Sequence, residues 1–137
     1  MSVEQIRNWL DSLEIIYELI EDINTFDVKW DVEDTIFDIR VTLRADKWIH
    51  VAVRLLRPEE IPEECTQELY GFLLNENWML DDVTYSMDEK GNLYSENDIP
   101  EQTDLENFKR ELDAVILGLE HFYAEVSSRF GIEPSGT

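Results

Sequence analysis

Two histidines and one cysteine are the side chains of this sequence best suited to acid–base or nucleophilic chemistry. His50 falls within a predicted strand, and His121 follows Glu120 on a predicted helix. Neither has a motif beside it that would supply a nucleophile or a metal. Cys65 lies on the apolar stripe of another predicted helix, where a buried and inert thiol is expected rather than a reactive one. We therefore predict no catalytic residue and expect that the protein is not an enzyme.

The acidic side chains form clusters, but their spacing differs from that of a metal site. Glu59, Glu60, Glu63 and Glu64 could hold calcium weakly. The regular oxygen spacing and central glycine of a calcium loop are missing there, as they are around Asp88. No phosphate-cradling glycine loop or dinucleotide fingerprint occurs. We interpret the four glutamates as the solvated start of a helix and predict no metal and no cofactor.

The charge of the chain is distributed unevenly. Of 32 acidic and 11 basic residues, six of each lie between Asp27 and Arg57, so the other 26 acids and 5 bases carry the whole net charge of -21. Binding to phosphate needs clustered cations, so neither nucleic acid nor an anionic membrane is an expected partner. The acidic residues serve solubility in one interpretation and attract a basic polypeptide in the other.

The sequence shows no sign of membrane insertion or of ordinary export. No apolar stretch approaches the roughly 18 residues of a membrane span. The first residues lack a basic start followed by an apolar run. The single Cys65 cannot form an internal disulfide, which fits a reducing compartment. We expect a cytoplasmic protein.

Hydrophobic periodicity predicts the elements that position these side chains. Ser2 and Gln5 form a capping box, and apolar residues then recur at helical spacing as far as Ile23. A period of two follows, which predicts three strands of an antiparallel meander. The predicted elements are, in order, a helix from Ser2 to Ile23, strands over 26–32, 37–44 and 48–56, a helix from about Pro62 to Leu74, strands over 80–87 and from Leu93 towards Pro100, and a helix from Thr103 to Phe130.

This order, α-βββ-α-ββ-α, predicts an α+β fold in which an antiparallel β-sheet packs against helices. We expect one domain over residues 1–137, with about 132–137 as a frayed C-terminal tail. Gly91 is expected to supply the positive φ of the turn between the last two strands, and Gly131 to cap the closing helix.

Several short motifs in the second half also suggest a known fold. They are the helix end Leu73-Leu74-Asn75, the turn Asp88-Glu89-Lys90-Gly91-Asn92, Pro100 and the capped helix from Thr103. In these motifs, and in element order over nearly the whole chain, the sequence resembles the class I type III secretion chaperone fold, which the YbjN family of small acidic proteins shares. The resemblance implies a non-enzymatic homodimer that binds other proteins.

The outer row of the predicted sheet is the candidate contact face. If the helices cover only the other side of the sheet, an aromatic and cationic patch faces solvent, and such patches favour protein contacts. The candidate residues are Ile36, Arg40, Trp48, His50 and Arg54. They form a dimer interface, a client-binding site or simply an exposed face. An unpaired sheet edge offers a second route, because an extended peptide can add a strand there.

Two functions are compatible with these patterns. The leading hypothesis is a small cytoplasmic homodimer that binds a protein or peptide client, as a chaperone or an adaptor. The alternative is a small-molecule or metal-dependent enzyme on the same scaffold, with a pocket between the C-terminal helix and the sheet that uses His121 or the acidic clusters.

Overall fold

The computed structural model describes residues 2–45 and 47–137. The elements are α1 (Val3–Ser12), β1 (Glu18–Ile20), β2 (Thr25–Val32), β3 (Thr35–Arg44), β4 (Trp48–Leu56), α2 (Thr66–Met79), β5 (Tyr85–Met87), β6 (Leu93–Pro100) and α3 (Leu105–Phe130). All strand pairs are antiparallel, and the strands lie in the order β1-β2-β3-β4-β6-β5. The predicted α+β class is confirmed, with four strands instead of three between the first two helices.

The extra strand lies where the sequence predicted the second half of the first helix. α1 ends at Ser12, and Glu14 adopts a left-handed φ of 58°. The backbone N–H of Glu14 donates to the carbonyl of Asp11, and the N–H of Ile15 donates to that of Leu10, both at 3.0 Å. These two bonds form a Schellman motif, which ordinarily carries glycine at the left-handed position. Because a glutamate occupies it here, the helix end gave no signal in the sequence.

The core lies between the sheet and the helices α1 and α3. Alternate residues of β3, among them Phe37, Ile39 and Val41, are buried, as the period of two predicted. α3 packs on β4 and β6. The rings of Trp9 on α1 and Phe108 on α3 lie 5.2 Å apart. One face of the sheet is therefore covered by helices, and the opposite face carries the outer row.

Gly118 lets α3 approach the sheet closely. A Cβ at this position would lie 2.4 Å from the Oγ of Ser95, too close for a real contact. In the space that glycine leaves, the hydroxyl of Ser95 donates to the carbonyl of Val115 at 3.0 Å. The hydroxyl of Tyr85 donates to the carbonyl of Gly118 at 2.7 Å. Burial raises the pKa of Tyr85, so this phenol stays protonated and can donate.

The middle helix begins and ends later than predicted. Pro58 and Pro62 lie at the starts of two 3₁₀ turns, Pro58–Glu60 and Glu63–Cys65, and α2 follows them. At the other end, the predicted stop at residues 75–77 lies inside the helix, because Glu76 contacts His121 of α3 and Asn77 contacts Tyr85 of β5. These contacts outweigh the local preference of asparagine for helix ends.

The second hairpin has the predicted turn but a shorter first strand. The N–H of Gly91 donates to the carbonyl of Asp88 at 3.1 Å, and Gly91 has a φ of 89°. Strand β5 begins only at Tyr85, after a left-handed residue at Asp82. The cap of α3 is Asp104 rather than Thr103, whose hydroxyl accepts a hydrogen bond from the side chain of Asn107 instead.

The segment after α3 differs from the expected frayed tail. Gly131 ends the helix in the left-handed conformation, as predicted. The chain then folds back, and Ile132 is buried. Ser135 donates through its N–H and its hydroxyl to Glu60, and the N–H of Thr137 donates to the carbonyl of Ile36 at 2.9 Å. Specific hydrogen bonds and apolar burial thus hold residues that the sequence alone marks only by small and polar side chains.

Candidate binding surfaces

The outer face is the side of β3 and β4 that carries the five predicted residues. Ile36 and Arg40 lie on β3, whereas Trp48, His50 and Arg54 lie on β4. Trp48 is 47% exposed and Ile36 is 43% exposed. Trp48 pairs with Arg44, the last residue of β3, whereas Ile36 is the second residue of β3. The two side chains therefore lie far apart. The structure therefore places all five residues on one face but does not bring them into one patch.

Three of the five residues line a single cavity of about 320 Å³, here called the central cavity. Arg40 lies opposite Ala52 on β4, and His50 lies opposite Thr42 on β3. Arg54 lies opposite Tyr94 on β6. The small side chain of Ala52, between longer neighbours, leaves the depression. The residues that line the cavity are Asp38, Arg40, Thr42, His50, Ala52, Arg54, Tyr94, Gly136 and Thr137.

Two acidic groups near the central cavity, Asp38 and Glu96, have partners. Asp38 forms an ion pair with Lys29 of β2. Glu96 accepts from the hydroxyl of Ser86 at 3.1 Å, and its carboxylate lies 3.4 Å from the Nε2 of His50. Arg40 and Arg54, by contrast, form no ion pair with the residues that the structure describes. The outer face therefore holds two guanidinium groups without an ion-pair partner beside the engaged carboxylates of Asp38 and Glu96.

Asp88, in the hairpin turn next to this face, is the most strongly engaged of these acids. Its carboxylate accepts from the side chain and backbone of Asn92, from the hydroxyl of Tyr94 and from the backbone of Lys90. The side-chain bond from Asn92 is the largest cause that lowers the pKa of Asp88, to about 2. The turn thus uses this carboxylate as a structural acceptor.

The remaining candidates for chemistry are tied to structural partners. The Nε2 of His121 lies 2.8 Å from a carboxylate oxygen of Glu76 and so joins α3 to α2. Cys65 precedes α2 instead of lying on its apolar stripe, is half-buried, and its thiol donates to the carbonyl of Pro62. Within residues 2–45 and 47–137, no group of three or more His, Cys, Asp or Glu side chains is arranged to hold a metal.

A second surface, which was not among the predicted sites, lies where α2 meets the edge strand β5. Trp78 is 84% exposed and Leu74 is 72% exposed, and Met79 and Met87 are exposed beside them. We call these four residues the α2–β5 surface. An apolar groove of about 210 Å³ adjoins it, lined by Tyr70, Leu73, Leu74, Asn77, Tyr85, Ser86, Met87 and Leu93. Large exposed apolar groups next to one another mark an interaction site.

The sequence does contain a signal for this surface. Apolar residues of α2 fall on more than one side of the helix, because Leu69 and Leu73 are buried while Leu74 and Trp78 face solvent. A helix that is apolar all round needs cover on all sides. The predicted apolar stripe of Cys65, Leu69, Phe72 and Leu73 describes only the buried side of the helix. It leaves out the exposed side with Leu74 and Trp78.

The side chain of Asn77 holds α2 against β5. Its amide nitrogen donates to the carbonyl of Tyr85 at 3.0 Å, and its amide oxygen accepts from the N–H of Tyr85 at 2.7 Å. The amide thus makes the two hydrogen bonds to Tyr85 that the backbone of a neighbouring strand would make. β5 pairs otherwise only with β6, and β1 lies at the opposite edge of the sheet. Both edge strands have three residues, and short edges of this kind limit unwanted strand pairing.

The fold has counterparts among solved structures. The Yersinia pestis type III secretion chaperone SycH, solved with a fragment of YscM2, has a TM-score of 0.58 and 14% identity over 85% of this chain and 95% of that chain. YbjN from E. coli has a TM-score of 0.65 and 12% identity over 91% and 93%. An uncharacterized protein from Methanothermobacter thermautotrophicus has a TM-score of 0.65 and 19% identity over 96% and 100%.

The chain has the fold of class I type III secretion chaperones and of YbjN. The resemblance predicted from the sequence is therefore confirmed at the level of the fold. No protein-family model and no curated protein sequence matches the chain. Within the described residues, no helix combines the length and apolarity that crossing a bilayer requires.

Proposed function

We propose that this protein binds other proteins as a homodimer, in a chaperone- or adaptor-like role, and is not an enzyme. The observation that carries the proposal is the α2–β5 surface, where exposed Leu74 and Trp78 lie one helical turn apart and Leu74 and Met87 line the same groove. Burying large side chains of this kind contributes about 1.5–3 kcal/mol each. An aromatic anchor among aliphatic neighbours is typical of the energetic centre of a protein interface.

The charge of the chain favours a second copy as the occupant of this surface. Two copies of this chain repel each other where acidic surfaces meet, because its net charge is -21. The helix α2, however, carries only Glu68 and Glu76 as charged residues. The carboxylate of Glu76 is held by His121. Two copies can therefore meet along α2 with less repulsion than at α3, and a two-fold axis makes such a surface complementary to itself.

A client is expected at a different surface. SycH, which shares the fold, is described in complex with a protein fragment. That likeness supports a protein partner for this chain as well. The five outer-face residues, predicted as a dimer or client face, are therefore our proposed client face, with Trp48 and Ile36 as its exposed apolar ends. The lone Cys65 supports a cytoplasmic location.

Light scattering on purified protein tests the dimer. We expect a dimer at micromolar concentration and a shift to monomer in Trp78→Ser, with at least about a hundredfold weaker association if Trp78 is a hot spot. Leu117→Ser is the matched control, because Leu117 is an exposed apolar residue on α3, outside the surface. A wild-type monomer, or a Trp78→Ser dimer, would contradict the proposal. Dissociation in Trp48→Ser alone would move the interface to the outer face.

Affinity purification followed by mass spectrometry tests the client. A client should be retained by wild type and lost in Trp48→Ser, and recovery of no protein beyond the chain itself would count against a binding function. Weaker binding at higher salt would support a basic client. A thermal-shift screen with metals and metabolites addresses the enzyme alternative, because a ligand that binds the native state raises the melting temperature.

A further inference from the structure

We propose that the central cavity of the outer face binds a small oxyanion, a phosphate or carboxylate group, through Arg40 and Arg54. This goes beyond protein binding and does not depend on it. Arg40 lies opposite Ala52, and Arg54 is two residues further along the same strand. Diagonal neighbours of this kind have Cα atoms roughly 7–8 Å apart. Long arginine side chains at that spacing can converge on a single anionic group.

The two guanidinium groups have unused hydrogen-bond capacity. Each carries five N–H donors in a planar fork that matches a carboxylate or phosphate. Neither pairs with an acid among the described residues, although the chain as a whole is strongly acidic. The acid that lines the cavity, Asp38, is held by Lys29 on the neighbouring strand. Asp27, which lies opposite Arg40 on β2, also pairs with Lys29. An incoming oxyanion therefore meets two guanidinium groups that no carboxylate of the described residues holds in an ion pair.

The other polar groups of the cavity are held in place by their neighbours. Glu96 holds the ring of His50, and Asp88 accepts from the hydroxyl of Tyr94. The hydroxyl of Thr42 lies 2.8 Å from that of Thr25. A cavity whose walls are fixed in this way loses little conformational entropy when a ligand enters.

Size and charge restrict the ligand to a small molecule or a single side chain. A cavity of about 320 Å³ lies at the lower end of the range of small-molecule sites. A long polyanion such as nucleic acid would be repelled by the acidic helices, whereas one oxyanion feels mainly the arginines beside it. Charge-assisted, bidentate hydrogen bonds would supply the affinity.

Titration of the full chain with inorganic phosphate, with sodium chloride adjusted to constant ionic strength, tests this inference. The NMR signals of the His50 ring report on the cavity directly. We expect saturable shifts, and affinity at least about tenfold weaker in Arg40→Gln and in Arg54→Gln. Arg110→Gln, which removes the same charge from α3, should bind like wild type. Arg54→Lys should be intermediate, because a lysine keeps the charge but loses the fork.

Three outcomes would overturn the inference. They are shifts that do not saturate, phosphate affinity unchanged in Arg40→Gln and Arg54→Gln, or equal weakening in Arg110→Gln. A parallel titration with acetate shows which of the two oxyanions is preferred. Trp78→Ser should bind phosphate normally, so failure at this cavity and failure of the proposed dimer can be told apart.

Discussion

The outer face and the α2–β5 surface differ in what each leaves unsatisfied. On the outer face, Asp38 and Glu96 have partners, whereas Arg40 and Arg54 form no ion pair with the described residues. The α2–β5 surface is nearly all apolar, and its exposed groups include Trp78 and Leu74. Unpaired donors gain energy from a specific anion, whereas exposed apolar area gains from any complementary apolar surface. One molecule can thus carry two surfaces with different kinds of partner.

The exposure of a single side chain is a poor guide to the position of a binding surface. Trp48, the side chain that made the outer face conspicuous in the sequence, is less exposed than Trp78. Its neighbours on the sheet are mostly charged or polar, so the apolar area around it is small. Trp78 instead lies one helical turn from Leu74, which shares an apolar groove with Met87. The number of adjacent apolar groups separates a dimer surface from an isolated exposed ring.

Among the changes that test the difference between the two surfaces, Asn77→Ala is expected to have the largest effect on the free energy of unfolding. The change leaves the backbone N–H and carbonyl of buried Tyr85 without their partner, and we expect a loss of about 2 kcal/mol in the free energy of unfolding. Urea denaturation measures it. Asn75→Ala is the matched control, because Asn75 is exposed on the same helix and gains the same helix propensity. Equal effects of the two changes would show that the amide does not anchor α2.

Asn77→Ala should also affect one surface and not the other. It is expected to weaken dimerisation, because α2 and β5 would no longer be held together. Phosphate binding at the central cavity should stay unchanged. Loss of both activities in a folded variant would mean that the two surfaces are coupled rather than independent.

A smaller effect on stability is expected from lowering the pH. The pKa of Asp88 is lowered from 3.8 to about 2, so its contribution to stability is complete above about pH 4 and is lost as the pH falls towards 2. Tyr94→Phe removes one donor and should raise the pKa of Asp88 towards its ordinary value. NMR titration of the Asp88 carboxyl group measures both. An ordinary pKa in wild type would mean that these hydrogen bonds do not hold the carboxylate.

The smallest effect is expected from Arg40→Gln and Arg54→Gln on stability. Both side chains are exposed and form no ion pair with the described residues, so the free energy of unfolding should change by less than about 0.5 kcal/mol. Thermal or urea unfolding checks this. A loss above about 1 kcal/mol would show that the fold already uses these guanidinium groups, and the contrast between the two surfaces would disappear.

Much of the fold could be predicted from the sequence because its signals are local. The alternation in β3 and the long apolar stripe of α3 recur at fixed spacing, and Gly91 and Gly131 lie where left-handed conformations are needed. The end of α1 was missed because Glu14 stands at a position that usually carries glycine. β1 was missed because three residues are too few to show a period, and its partner β2 defines it.

The candidate sites were predictable to a lesser degree. The sequence placed Ile36, Arg40, Trp48, His50 and Arg54 on one face, since alternation assigns every second residue to the same side. It did not show that Arg40, His50 and Arg54 share a cavity from which Trp48 and Ile36 are absent. That depends on the register between strands and on which acids already have partners, and both are set by residues distant in sequence.

The sequence by itself determined the α+β class, the charge-balanced strands and the three helices, because period, caps and composition act over a few residues. Only the tertiary structure decided which apolar groups stay exposed and which charges stay unpaired. Leu74 and Trp78 are uncovered because α2 lies at the edge of the sheet, where nothing in the described chain covers its second side. Arg40 lies opposite Asp27 but forms no ion pair among the described residues, whereas Lys29 pairs with both Asp27 and Asp38. Both outcomes follow from packing between distant segments, which no local pattern records.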